Sequence, residues 1–397
     1  MNADVKIDSQ KKFRLWLKGF LLAILLILFT CLFFVFSAIP PLEGFAPPRY
    51  ESFPSSTEEP LFQTQFVTNG RTGKVHCATV VEISGGRLLA FWYGGSDERA
   101  KDVCIYASIF NPQNAMWSHE RVLISREDTQ QDLDRCIKAL GNPVVIKDEN
   151  SKLWLFYVSM SYWGWSGSAI NLTTSTDEGK TWTPSRRLIS SPFCNLSTLV
   201  KGKPFLFEDS TIGLPVYHEF IGKFGELLNL DREGNVIRKI RLSKGRYSLQ
   251  PVIVPFTQKT GVGFMRYSEK TLPRLLLVRT TDGGVTWSDP VKLDVPNPDA
   301  AVASIRLENG GILLIHNNDE DQRCDMTLSY SEDNGNTWQA IYEFEKEKGE
   351  NCKENFHGFS YPYIIRTQNG DFHLLYSWNS MHIKHVQFNL EWVEQKI

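Results

Sequence analysis

One eight-residue pattern occurs three times in this chain. Ser175 to Trp182 reads S-T-D-E-G-K-T-W, Thr280 to Trp287 reads T-T-D-G-G-V-T-W, and Ser331 to Trp338 reads S-E-D-N-G-N-T-W. In each copy the hydroxyl and the carboxylate are suited to bonding the backbone of their own turn. Gly supplies a positive φ, and Trp offers a large apolar face to plug the turn into the blade core. Each copy therefore predicts a locked hairpin, with a structural rather than a catalytic or calcium-binding role. The three tryptophans fall 105 and 51 residues apart. Since the first interval is about twice the second, one copy has lost its signature. N-L-D-R-E-G-N at Asn229 to Asn235 keeps the Asp and Gly in about the right place, and S-I-F-N-P-Q-N-A-M-W-S, ending near Trp117, reads as another decayed copy.

The segments between the hairpins are short apolar runs entered through Gly, Asn or Asp: RLLAFWYGG, KLWLFYVSM, TGVGFMRYS, GGILLIHNN and DFHLLYSW. They read as strands, and no helical period competes with them. A repeat of roughly 40 to 50 residues carrying four strands is the signature of a β-propeller. Blades ending near Trp117, Trp182, Asn235, Trp287 and Trp338, and a sixth built from Gly358 to Phe388, predict an all-β, six-bladed β-propeller over 61–397. FQTQFV, from Phe62 to Val67, is available to close the ring.

The N-terminus follows a different rule. Gly19 to Ile39 is a stretch of 21 residues without a charge, long enough as a helix to cross a bilayer. A cleaved signal peptide is the rival reading, but its apolar region is shorter and Phe36 stands where a small residue is wanted. Lys6, Lys11, Lys12, Arg14 and Lys18 precede the stretch and only Arg49 follows it closely. The organisation expected is a cytoplasmic tail at 1–18, a signal-anchor at 19–39, a Pro-rich stalk at 40–60 and a propeller outside the cytoplasm. A net charge of −2 argues against a nucleic-acid partner. Six of the seven cysteines follow the anchor, in spacings that form no metal pattern. Buried thiols are expected, with one or two disulfides possible in an oxidising compartment; no metal or cofactor is expected. Asn171 and Asn195 open glycosylation motifs if the host is eukaryotic.

The repeated octapeptide resembles the Asp box, S-x-D-x-G-x-T-W, of the sialidase (neuraminidase) superfamily, whose fold is a six-bladed propeller. The resemblance spans about the whole exported region. It implies a site on the face opposite the boxes, made of arginines that clamp a substrate carboxylate, a nucleophilic tyrosine paired with a glutamate, and an acid/base aspartate. Arg266 in GVGFMRYS and Arg323 before CDMTLSYSEDNGNTW match two of the arginines, taken as corresponding positions in adjacent blades. A guanidinium offers a planar fork to a carboxylate. The third falls at His76, a departure. Tyr361 in GFSYPYIIR matches the nucleophile. The glutamate position is occupied by Gln250, whose amide cannot take a phenolic proton, with Glu219 beside His218 as a substitute. The acid/base aspartate is sought in GGSDERAKD, at Asp102 with Asp97 as runner-up. Tyr162, Trp163 and Trp165 are candidate sugar-stacking platforms.

Two functions follow. One is an exo-glycosidase acting on terminal sialic acid or a related acidic sugar of glycoconjugates at a membrane. The other is a catalytically inactive carbohydrate-binding or adhesion propeller, which His76 and Gln250 favour.

Overall fold

The hairpins are locked by their own side chains. The structure is a computed structural model that describes residues 2–37, 41–47, 59–70, 72–161, 164–191, 197–269, 271–347, 352 and 356–397. In the first box Asp177 accepts from the Thr181 amide at 2.9 Å and from its hydroxyl at 2.6 Å. Ser175 Oγ accepts from the Gly179 amide at 2.9 Å, and the Trp182 indole donates to the Gly179 carbonyl at 3.1 Å. The boxes at Asp282 and Asp333 repeat these bonds. The decayed copy keeps the Asp-centred half: Asp231 accepts from the Asn235 amide at 2.7 Å, and Gly234 has φ 80°.

Six antiparallel sheets result, and each box joins the third strand of its sheet to the fourth. The inner strands, in ring order, are Lys74–Glu82, Ala139–Lys147, the split pair Leu199–Val200 and Phe205–Leu206, Ser248–Pro255, Ala303–Arg306 and Phe359–Arg366. Each packs on its neighbours around a central channel. The sixth blade takes its outer strand from the other end of the chain, Phe62–Phe66 on His382–Phe388, in the register Phe62↔Phe388 to Phe66↔Lys384. Ring closure thus leaves the sixth blade with no third-to-fourth turn, so it has no box.

The box tryptophans do more than fill their own blades. Trp182 meets Phe91 of the first blade edge-on at 5.7 Å, and Trp338 meets Phe264 of the fourth at 5.6 Å. Trp117 reaches from the first blade to the sixth, donating to His385 Nδ1 at 3.2 Å. The expected plug into the blade core is, at these three positions, a staple across the seam to the preceding blade. Apolar side chains alternating along twisted strands bury themselves between blades, and an indole at the rim is long enough to bridge that seam.

Three expectations change. A capped helix, Arg126–Leu133, lies between the first two blades where only strands were expected; Ser125 and Asp128 form its capping box. The expected stalk at 40–60 is not free of the propeller throughout: Phe45 is buried against Phe205 and Phe207, and its amide donates to the Gln258 carbonyl at 2.8 Å. Compact units accordingly divide at Met1–Leu42 and Glu43–Ile397. Asn171 is fully buried and within hydrogen-bonding reach of Ser159 and the Tyr157 carbonyl, so the folded chain offers no acceptor for a glycan there. Asn195 lies outside the described residues. Cys324 and Cys352 form a disulfide, while Cys77 is a buried thiol and Cys136 an exposed one.

The N-terminal unit contains the helix Asn2–Ser37. Its segment Phe13–Leu32, with mean hydropathy 2.4, is long and apolar enough to cross a membrane.

Candidate active site

The channel mouth opposite the boxes is built by a second repeat, in the inner strands. Their register slips between His76 and Thr79, Gly141 and Val144, Leu249 and Val252, and Ser360 and Tyr363. In each slip one residue takes a left-handed backbone: Cys77 at φ 55°, Asn142 at 39°, Gln250 at 51° and Tyr361 at 56°. Such a conformation costs a non-glycine residue about 1 to 2 kcal/mol and is kept where the surroundings demand it. The bulge bends the strand and re-aims a side chain. In three of the four, Pro follows: Pro143, Pro251 and Pro362. The signal lies in the sequence as GNPVVI, LQPVIV and SYPYII.

The structure brings Tyr361, Arg266, Arg323, His76 and Gln250 together at this mouth. The Arg323 guanidinium lies 5.9 Å from the Tyr361 ring centroid, and the His76 ring meets Tyr361 edge-on, also at 5.9 Å. Arg266 donates to Gln250 Oε1 at 3.2 Å. The two arginines do not occupy equivalent strand positions. Arg266 is on the second strand of its blade, Gly261–Tyr267, whereas Arg323 precedes the third strand of the next, Asp325–Ser331. What unites them is Asp299, which sequence reasoning missed: its carboxylate pairs with Arg266 Nε, and its carbonyl accepts from Arg323 at 2.6 Å. Burial opposes the Arg266 charge, but the Asp299 bond and the nearby tyrosines outweigh it and raise its pKa.

His76 is neutral at physiological pH. Burial, reinforced by Arg323, His357 and Lys74, lowers its pKa to about 4, and its Nδ1 is buried without a hydrogen-bond partner among the described residues. Gln250 hydrogen-bonds Arg266 and the Tyr217 hydroxyl, the latter at 3.4 Å; Asn142 donates to the same hydroxyl at 3.1 Å. Tyr217 and Asn142 are further site residues that the sequence reading did not single out.

Of the carboxylates, Asp102 is held by the Ser96 hydroxyl and amide, both at 2.9 Å, and those bonds lower its pKa. Asp97 pairs with Lys74 at 2.9 Å, which lowers its pKa too, and its charge is felt by His76. Glu98, between them in sequence, accepts from the Trp165 indole at 3.1 Å, and its charge reaches Tyr93 and Glu219. Glu219 is the carboxyl whose pKa is raised, by burial, with Arg266 and Lys223 opposing. Trp165 covers Gly141, where a Cβ would lie 2.6 Å from the ring. Trp163 and Tyr162 lie outside the described residues. A cavity of about 390 Å³ opens between Arg323, His357 and the disulfide.

A six-bladed propeller with Asp boxes on one face and an arginine- and tyrosine-bearing mouth on the other defines the sialidase-like class of fold. Residues 86–374 match the BNR repeat-like domain family, and the chain belongs to that family. Among solved structures it is similar to the Hadza microbial sialidase Hz136, with TM-score 0.68 and 16% identity over 83% of this chain and 69% of that one. It is also similar to the NanB sialidase of Streptococcus pneumoniae, with TM-score 0.64 and 12% identity over 81% and 69%. A leech intramolecular trans-sialidase complexed with 2,7-anhydro-Neu5Ac aligns with TM-score 0.64 and 13% identity over 85% and 71%. At these identities the likeness is one of fold. No curated protein matches the chain by sequence.

Proposed function

We propose that the chain is an exo-glycosidase of sialidase type, acting on terminal sialic acid or a related acidic sugar of glycoconjugates. Its apolar helix is read as an anchor that keeps the propeller outside the cytoplasm. The observation that carries the reading is the convergence of Tyr361, in a strained left-handed bulge, with Arg323 and Arg266 at one mouth of the channel. In this reading Arg323 and Arg266 hold the sugar carboxylate. The Tyr361 oxygen, losing its proton to a neighbouring carboxylate, attacks the anomeric carbon as the bond to the aglycone oxygen breaks and that oxygen leaves protonated. Water then displaces Tyr361 and frees the sugar, whereas a carboxylate nucleophile would be repelled by the substrate's own charge. A proton-exchanging group needs a pKa near the working pH, which favours Glu219, raised by burial, over Asp97 and Asp102, whose partners hold them ionised. Asp97 ranks above Asp102 because it adjoins His76 and Lys74.

The second reading, a binding propeller without catalysis, is supported by the amide at Gln250 and the neutral His76. The two are separated by incubating the protein with a fluorinated sialic acid inactivator and mapping the label by mass spectrometry. Label on Tyr361, together with a Tyr361→Phe variant that binds the glycan but does not turn it over, is expected. Glycan binding without label or turnover would leave the lectin reading.

A further inference from the structure

The far mouth of the channel, on the box face, encloses a cavity of about 380 Å³. Its walls are the ends of inner strands from all round the ring, among them Val80, Val145, Ile253, Ile305 and Ile365. The volume lies within the range of small-molecule pockets, and the apolar lining is typical of them. Five charged residues also line it: Glu82, Lys147, Lys203, Arg306 and Arg366.

Four of the five are engaged. Arg306 donates to the Phe256 carbonyl at 2.6 Å; Arg366 pairs with Glu308 at 2.9 Å and donates to the Gly370 carbonyl at 3.0 Å. Lys147 and Glu82 sit within each other's field and offset one another. Lys203 has neither a hydrogen bond nor an ion pair among the described residues, and burial alone lowers its pKa to about 8.

The local sequence explains how a lysine comes to be there. The inner strand of the third blade is broken at Lys201-Gly202-Lys203-Pro204 into two short pieces. Gly202 is pressed so close to the fourth blade that a Cβ would lie 2.0 Å from the Pro251 carbonyl oxygen. Alternate residues of an extended chain face the same way, so Lys201 and Lys203 both turn inward. Lys201 is satisfied by the Pro362 carbonyl at 2.7 Å; Lys203 is not. Lys203 is half-buried, with its stem against the apolar walls and its ammonium open to an incoming counter-ion.

We propose that this cavity is a ligand site for an organic monocarboxylate with an apolar body, the carboxylate paired to Lys203 and the body packed against the valine and isoleucine walls. Lys203 is the lining cation with no bonded partner among the described residues, and a single ammonium among mostly apolar walls suits one carboxylate on an apolar body better than a phosphate. The site lies at the opposite ends of the inner strands from Tyr361, so its occupant does not compete with a glycan.

The test uses the full-length chain in detergent, titrated by calorimetry with 4-phenylbutyrate and with 4-phenylbutanol as the uncharged analogue. Saturable one-to-one binding of the acid is expected, at least tenfold tighter than that of the alcohol. Lys203→Met should weaken the acid at least tenfold while melting no lower than wild type, because an unpartnered charge is removed. Ile253→Trp, which fills the cavity, should abolish binding of both compounds, and it serves as the second variant if Lys203→Met fails to fold. Equal affinity for acid and alcohol, no saturable binding of the acid, or unchanged binding in either folded variant would overturn the proposal.

Discussion

Replacing Asp299 by Asn separates the two roles that its position gives it. Asn tolerates the left-handed backbone found there, at φ 51°, and keeps the carbonyl that accepts from Arg323. Only the counter-charge of Arg266 is lost. The Arg266 side chain is 14% exposed and that of Asp299 is 43% exposed. Removing one partner of a fully buried pair costs about 3 to 5 kcal/mol, and of an exposed pair no more than about 1. Asp299 stands between these limits, so a loss of about 1 to 2 kcal/mol is expected, or roughly 1 to 3 °C in Tm for a domain of this size. If Arg266 is a carboxylate clamp, an acidic glycan supplies the missing negative charge. A saturating sialylated trisaccharide should then raise the Tm of the variant more than that of wild type, which scanning calorimetry measures with and without the sugar. Equal stability of the two unliganded proteins would show that Asp299 is not the counter-ion. Equal ligand-induced increments would remove Arg266 from the binding reading.

Two further predictions concern the ring itself. His373, His385 and His316 are buried and neutral, with burial lowering His373 to about 3, His316 to about 4 and His385 well below its usual value. The unfolded chain takes up protons below about pH 6.5 while the folded one does not, so stability is complete above that pH and falls as the pH drops. Between pH 7.5 and 5.0 the urea midpoint should fall by the equivalent of about 1 to 2 kcal/mol per histidine; a flat profile would contradict their burial as neutral groups. Gly179→Ala tests the seam: Gly179 has φ 81°, and its Cβ would lie 2.5 Å from Leu89 of the neighbouring blade. Gly85 has φ 72° with nothing within 4 Å of a Cβ, so Gly85→Ala should cost only the backbone term of about 1 kcal/mol. The first variant should be the less stable in denaturant titration, and parity would mean that the boxes do not clamp blades together.

The sequence by itself determined the repeated unit, the number of blades, the closing strand and the apolar N-terminal helix. All of these depend on interactions along a few adjacent residues: Asp177 bonding Thr181 four positions on, alternation within a strand, or an uncharged stretch long enough for a bilayer. Arg266, Arg323 and Tyr361 were legible only through the family resemblance, since nothing local distinguishes them from rim or core residues. Tertiary structure decided what meets at the axis. Asp299 joins two arginines 57 positions apart, and Lys203 is left without a partner among the described residues in the far mouth while Lys201 finds the Pro362 carbonyl 161 positions away. The tryptophans were readable as fillers, yet the fold set which blade they fill. A closed ring brings together the ends of strands about 50 residues apart, so the partners of a channel side chain depend on how six separate blades are tilted and spaced. Local pattern fixes each blade; only closure of the ring fixes the site.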